Sequence, residues 1–237
     1  MYEKTNVMIS GSSRGLGREI SQILKSLDFN VITMGFDSPA DVDIRCNLLD
    51  QDALITEIHK ISEIYGPIDI LICNAGTGKK PDKIMDIDEL ENYFNDRNYL
   101  TSKCLLDAAD SYLRSPGALV IGISSIAALI SDTGAPQGYS AAKKKMNALF
   151  VERAKHLATR GIRVNVISPG NIFFKGSRWE QIKLESPEAV EKLLRDKVPL
   201  HNFITPSEIA ETILFLSSKS ARNITGVNLV IDGGQIL

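Results

Sequence analysis

A chain of 237 residues, 43% of them hydrophobic, is long enough and apolar enough to bury one sizeable core. The formal net charge is −2 with acids and bases interspersed, so the sequence lacks the basic footprint of a nucleic-acid or anionic-membrane binder, and a small molecule is the expected partner. The run from Met1-Tyr2-Glu3-Lys4 to a strand-like segment at Val7 leaves no space for the apolar region of a signal peptide, and Gly117 to Ile130, broken by Ser124-Ser125, is too short to cross a bilayer; a cytoplasmic protein is expected.

Val7-Met8-Ile9 predicts a short buried strand, after which Leu16, Ile20, Ile23, Leu24 and Leu27 recur at helical spacing. Further strands are predicted at 31–34, 68–73, 118–123, 164–167 and 227–231, with helices near 51–64, 88–114, 139–159 and 207–218. Strands that alternate with helices predict a doubly wound, Rossmann-like α/β fold with a mostly parallel sheet and helices on both faces. With no repeat and no long linker, residues 1–237 read as a single domain. From about Asn171 to Pro206, a charged stretch punctuated by Gly176, Pro187 and Pro199 is expected to be irregular and to form a lid.

Two local patterns carry chemistry. Gly11, Gly15 and Gly17 follow the first strand and open a helix, where backbone N–H groups and a close approach of the chain suit a pyrophosphate. Their GxxxGxG spacing differs from the more familiar GxGxxG, and a ligand-free tight turn would need the same glycines. Tyr139 and Lys143 stand one helical turn apart and share a face. An ammonium near a phenol favours the phenolate, so the tyrosine pKa is expected to fall from about 10 toward the working pH. An amphipathic helix bordering the core would produce the same pair.

The segment Ser10-Gly11-Ser12-Ser13-Arg14-Gly15-Leu16-Gly17 resembles the TGxxxGxG turn of the short-chain dehydrogenases/reductases, with Ser10 in place of the threonine. Cys73-Asn74-Ala75-Gly76 is similar to that family's NNAG element, Tyr139 to Lys143 matches its YxxxK signature, and Ser168-Pro169-Gly170 resembles the turn after its sixth strand. These elements run in the family's order from Val7 to Gly234 and resemble the short single-domain branch that includes 3-oxoacyl-carrier-protein reductases.

The resemblance implies a nicotinamide-dependent enzyme that moves a hydride to or from a carbonyl or secondary alcohol. Tyr139 would transfer the oxygen's proton, Ser125 would orient that oxygen with Ser124 as runner-up, Lys143 would also hold the nicotinamide ribose, and Asn98 would anchor a water chain to the lysine. A capping or surface role is the alternative for Asn98. The spacing from Ser125 to Tyr139 implies a one-residue insertion between Ala127 and Gly138. The cofactor is expected to contact Gly11, Ser13, Arg14, Gly15, Leu16 and Gly17 on the first turn, then Asn47 and Leu48, Asn74 to Gly76, and Pro169, Gly170 and Ile172. A dinucleotide-binding sensor or scaffold without turnover is the alternative function; Ser125, Tyr139 and Lys143 favour the enzyme.

An acid at the end of the second strand favours NAD and a base favours NADP. Here Gly35 stands at the acid's position, followed by Phe36 and Asp37, and Arg14 occupies a place where relatives that use NADP carry a base. The expectation is NADP, with NAD retained as the alternative. In the lid, Phe174 replaces the threonine of the family's PGxIxT pattern. Phe173, Trp179 and Phe203 either line an apolar pocket or tether the lid, and Lys175, Arg178 and Lys183 either meet an anion or face water; tethering and solvation are the favoured readings. Ile231-Asp232-Gly233-Gly234 resembles the ending of family members that form homotetramers, so a homotetramer or homodimer is expected. Cys46, Cys73 and Cys104 read as free thiols, and His59, His156 and His201 have no metal-ligand spacing, so no metal is expected.

Overall fold

The structure, a computed structural model, describes residues 4–36, 41–131 and 133–237. Asp37, weighed above as a cofactor acid, lies outside the described residues, as does the start of the chain at Met1 to Glu3. Among the described residues, seven strands form one sheet: β1 (Asn6–Ser10), β2 (Asn30–Gly35), β3 (Ile44–Arg45), β4 (Ile70–Cys73), β5 (Leu119–Ile123), β6 (Arg163–Pro169) and β7 (Asn228–Ile231). Every pairing is parallel and the spatial order is β3-β2-β1-β4-β5-β6-β7. The order reverses between β1 and β4, and in such sheets the crevice beyond the carboxyl ends at that point is where ligands bind.

The strands read as unbroken apolar runs because both faces are covered. On β1, Met8 points into one cluster with Leu54, Leu105 and Phe150, while Val7 and Ile9 point into another with Ile20, Leu24 and Ile209. The first cluster joins the sheet to α2 (Gln51–Tyr65), α4 (Thr101–Ala109) and α5 (Gln137–Ala158), and the second joins it to α1 (Gly15–Ser26) and α8 (Pro206–Ser217). Helix starts are set locally. Asp50 caps α2 by accepting from the Ala53 N–H, and Thr205 and Glu208 form a reciprocal capping box at α8, whose first residue is Pro206.

Four segments depart from the sequence expectation, the first being β3, a two-residue edge strand that no apolar run predicted. Residues 88–114 are not one helix but α3 (Ile87–Asn95), a π-helical turn Asp96–Leu100, α4 and a short 3₁₀ turn Asp110–Tyr112. β4 begins at Ile70, because Ile68 bridges only Leu113 and the Asp69 carboxylate turns to accept from the Asn6 N–H at 2.8 Å. The stretch expected to be irregular holds two helices, α6 (Arg178–Glu185) and α7 (Pro187–Lys197). Ser177 caps α6, and Pro187 starts α7 rather than breaking a helix, since its missing N–H falls in the first turn where no helical partner exists. Both ends of this excursion are pinned at its base, where Phe173 N–H donates to Ile204 O at 2.8 Å and Ile204 N–H to Asn171 O at 2.9 Å.

Candidate active site

The glycine turn leaves β1 at the switch point. Gly11 and Gly15 adopt φ of +66° and +59°, which side-chain-bearing residues rarely tolerate. A β-carbon at Gly17 would collide with the Gly11 carbonyl and Asn74 Nδ2, and one at Gly11 would lie 2.7 Å from Ala75 Cα. The turn is therefore packed directly on the segment after β4. Polar bonds fasten the two: Ser10 Oγ accepts from the N–H groups of Asn74 and Ala75, both at 3.1 Å, and Asn74 Nδ2 donates to Ser10 O at 3.0 Å. Ser12 ties the turn to β2, donating to Ile9 O and accepting from the Met34 N–H at 2.9 Å. Leu16 packs on the core below, and Ser13 faces Gly35.

The residues fit a dinucleotide phosphate. The first turn of α1 carries no acid, Arg14 supplies no side-chain cap to its N–H groups, and the glycines bring that positive end of the helix close to the cleft. Phe174 stands across this site, with its Cζ 3.9 Å from where a β-carbon of Gly15 would be.

Lys143 on α5 is buried, and its Nζ donates to the Ile123 carbonyl at the end of β5 at 2.8 Å. Burial pushes its pKa down to about 8 against a smaller opposing influence of Cys73. Cys73, equally buried, has its thiol pushed up to about 12 by desolvation and remains neutral. Gly76 lies between Lys143 and Asn98: a β-carbon there would be 2.6 Å from Asn98 Oδ1 and 3.3 Å from Lys143 Nζ.

Asn98 sits in the π-helical turn with no exposed surface, so it is not a surface asparagine. Its Nδ2 donates to Phe94 O at 3.0 Å and Thr77 O at 3.1 Å, and its Oδ1 accepts from the Thr77 N–H at 3.0 Å. The side chain thus clasps the loop after Gly76 to the helix, and both amide protons are engaged.

Tyr139 is half-buried, with its ring edge-on to Phe94 and near Gly78. Desolvation pushes its pKa above the ordinary value, and a hydrogen bond with the Ser125 side chain works the other way. The expected lowering by the lysine is therefore corrected. Lys143 directs its ammonium at a backbone carbonyl, and loss of water around the phenol dominates. The phenol meets Ser125; Ser124 is buried with its hydroxyl unpartnered among the described residues.

The remaining predicted contacts are less concentrated. Leu48 points into the core, so only its backbone is available to a ligand, and Asn47 Oδ1 accepts from the Leu49 N–H within its own turn. Pro169 ends β6, Gly170 N–H donates to Ile231 O, and Ile172 bridges Ile204 at the lid's base. In the lid, Phe173 stacks on Phe203 at 5.5 Å, Trp179 leans on the same ring at 5.3 Å, and Lys183 Nζ lies 5.3 Å over Phe173, so these aromatics tether the lid. Ile123 and Thr77 contribute to the site through their backbones, which residue type does not announce.

A family model described as enoyl-(acyl carrier protein) reductase matches residues 11–235. The 3-oxoacyl-[acyl-carrier-protein] reductase FabG of Staphylococcus aureus is 28% identical over 260 residues, covering 98% of each chain. Among solved structures, Thermoplasma acidophilum aldohexose dehydrogenase in ligand-free form superposes with a TM-score of 0.84 at 25% identity, covering 98% of this chain and 94% of that one. The Pseudomonas aeruginosa RhlG/NADP active-site complex does so with a TM-score of 0.86 at 25% identity, covering 100% and 98%. With this match across nearly its whole length, and the glycine turn, the asparagine clasp and the Tyr139–Lys143 helix gathered at one switch point, the chain belongs to the short-chain dehydrogenase/reductase family.

Proposed function

We propose that this NAD(P)-dependent oxidoreductase interconverts a carbonyl and a secondary alcohol on a small molecule, with NADP as its nicotinamide and Asn98, Ser125, Tyr139 and Lys143 as its working residues. The observation that carries the reading is the buried Lys143 ammonium held on the Ile123 carbonyl at the end of β5, one helical turn from the Tyr139 phenol. The glycine turn, with Gly11 to Gly17 and Ser13, would cradle the pyrophosphate. Asn74 to Gly76, Asn47, Leu48, Pro169, Gly170 and Ile172 would border the rest of the cofactor. The NADP named with the Pseudomonas structure and the basic Arg14 beside the turn support the choice of cofactor.

When bound, the nicotinamide supplies or accepts the hydride. In reduction, Tyr139 Oη gives its proton to the substrate oxygen and Ser125 holds that oxygen in line. Lys143 stabilises the phenolate left behind, and the clasp made by Asn98 keeps Gly76 and Thr77 packed beside the lysine. Oxidation reverses these transfers. The raised Tyr139 pKa suits a proton donor in the resting protein. The residues from Asn171 to Pro206 serve as the substrate lid.

Assembly as a homodimer or homotetramer is supported by the half-exposed edge strand β7 and by Leu129, Val151 and Val227, apolar side chains open to solvent beside it and on α5. Light scattering after size exclusion tests this; a clean monomer contradicts it. A reducing, cytoplasmic setting suits three free thiols. The function is tested by following NADPH oxidation across a panel of ketones, aldoses and 3-oxoacyl thioesters. Turnover of at least one class, lost in Tyr139→Phe, is expected. Cofactor binding without turnover on the whole panel overturns it.

A further inference from the structure

We infer that Arg45, on the edge strand β3, is a second cationic anchor for the 2′-phosphate of NADP and so a determinant of cofactor choice. The inference rests on the reading that this chain takes NADP at the glycine turn.

Strand register places the residue. β2 and β3 pair in parallel with Met34 opposite Ile44 and Gly35 opposite Arg45. Partners in such a ladder lie about 4.8 Å apart and project to the same face of the sheet. Met34 and Ile44 are both fully buried in the cluster on the α2 and α5 side. Gly35 and Arg45 therefore face the other way, toward the glycine turn. Gly35 verifies this direction, since a β-carbon there would lie 2.9 Å from Ser13 Cβ.

The same contact removes the usual alternative. With Ser13 in place, no side chain fits at position 35 without displacement, so position 35 itself cannot carry the acid that would hold the ribose hydroxyls or repel a phosphate. Beside the vacant position stand a hydroxyl from Ser13 and two basic residues, Arg14 on the turn and Arg45 on β3. Arg45 is exposed and makes no ion pair among the described residues. Asp43, two residues earlier, has its carboxylate held on β2, where Oδ2 accepts from Thr33 N–H at 2.8 Å and Thr33 Oγ1 at 2.7 Å. Cys46 and Leu48 are buried just beyond, which fixes the strand end from which the arginine extends. A guanidinium matches a phosphate bidentately and stays charged at every working pH.

The test is titration of the full chain, as wild type, Arg45→Gln and Arg45→Lys, with adenosine 2′,5′-bisphosphate, 5′-AMP, NADPH and NADH at fixed ionic strength. Arg45→Gln is expected to weaken the bisphosphate and NADPH by roughly tenfold to a hundredfold. It should leave 5′-AMP and NADH binding unchanged, and Arg45→Lys should recover part of the loss. If Arg45→Gln keeps the wild-type discrimination, or weakens all four ligands alike, the role of Arg45 is overturned while the NADP reading stands. If the wild type itself does not distinguish the bisphosphate from 5′-AMP, both readings fall together.

Discussion

Lys143 Nζ donates to the carbonyl oxygen of Ile123 at 2.8 Å, a bond that joins α5 to the end of β5 and holds a charged group where water is excluded. Burial lowers its pKa from 10.5 to about 8, so an ammonium at neutral pH costs the fold free energy. Between pH 8 and 10.5 the unfolded chain binds more protons at this residue than the folded one, and its contribution to stability rises with pH; below pH 8 both forms are protonated and the slope vanishes. Lys143→Met should therefore abolish activity yet stabilise the protein at pH 7 by about 1–2 kcal/mol, after allowance for the orphaned Ile123 carbonyl. Urea unfolding at pH 7 and pH 9 checks this. The advantage of the variant should shrink at the higher pH.

On the proposed mechanism the same group should set a pH limit on catalysis. Lys143 is protonated below about pH 8, the form that stabilises a phenolate, and Tyr139 is protonated throughout that range because its pKa lies above the ordinary value. kcat/KM for reduction should be level below about pH 8 and fall above it. A profile that rises through pH 9 would contradict the assignment.

Tyr139→Phe retains the ring against Phe94 and removes only the hydroxyl that meets Ser125. Turnover should fall by on the order of a thousandfold or more, while the NADPH dissociation constant changes little. Single-turnover kinetics and fluorescence titration separate the two. An active variant would sink the proton-transfer role.

Gly17→Ala places a methyl group against the Gly11 carbonyl and Asn74 Nδ2, neither of which can retreat without breaking the bonds between Ser10 and Asn74. A loss of about 1–3 kcal/mol in denaturant unfolding is expected, with weakened cofactor binding. An equally stable variant would show that the turn can shift.

Phe203→Ala removes the ring that both Phe173 and Trp179 contact. Each pair is worth about 1 kcal/mol beyond burial, so the lid should loosen while the sheet stays intact. Trp179 is the only tryptophan in the chain, and its emission should shift to the red with a rise in substrate KM and little change in the main unfolding transition.

Much of the fold was legible because strands buried on both faces must be apolar throughout. Val7 to Ile9 and Ile121 beside Val120 carry that pattern in residue type alone. α6 and α7 were hidden because Gly176 and Pro187 look like breakers, and the two helices bury little beyond Val190. Within the site, the glycine turn and the Tyr139–Lys143 spacing were readable, whereas the buried clasp of Asn98 depended on Thr77 and Phe94 arriving from separate segments.

The sequence by itself determined the parallel α/β class, the switch-point glycines and the spacing of the Tyr139–Lys143 pair proposed to transfer the proton, since periodicity and side-chain chemistry are properties of neighbouring residues. Only the tertiary structure decided that burial, and not the charge of Lys143, dominates the pKa of Tyr139, that the Ile123 carbonyl anchors Lys143, and that register sets Arg45 beside Gly35. Each of these depends on the backbone position or loss of solvent produced when distant segments meet, and no local pattern of residue types encodes them.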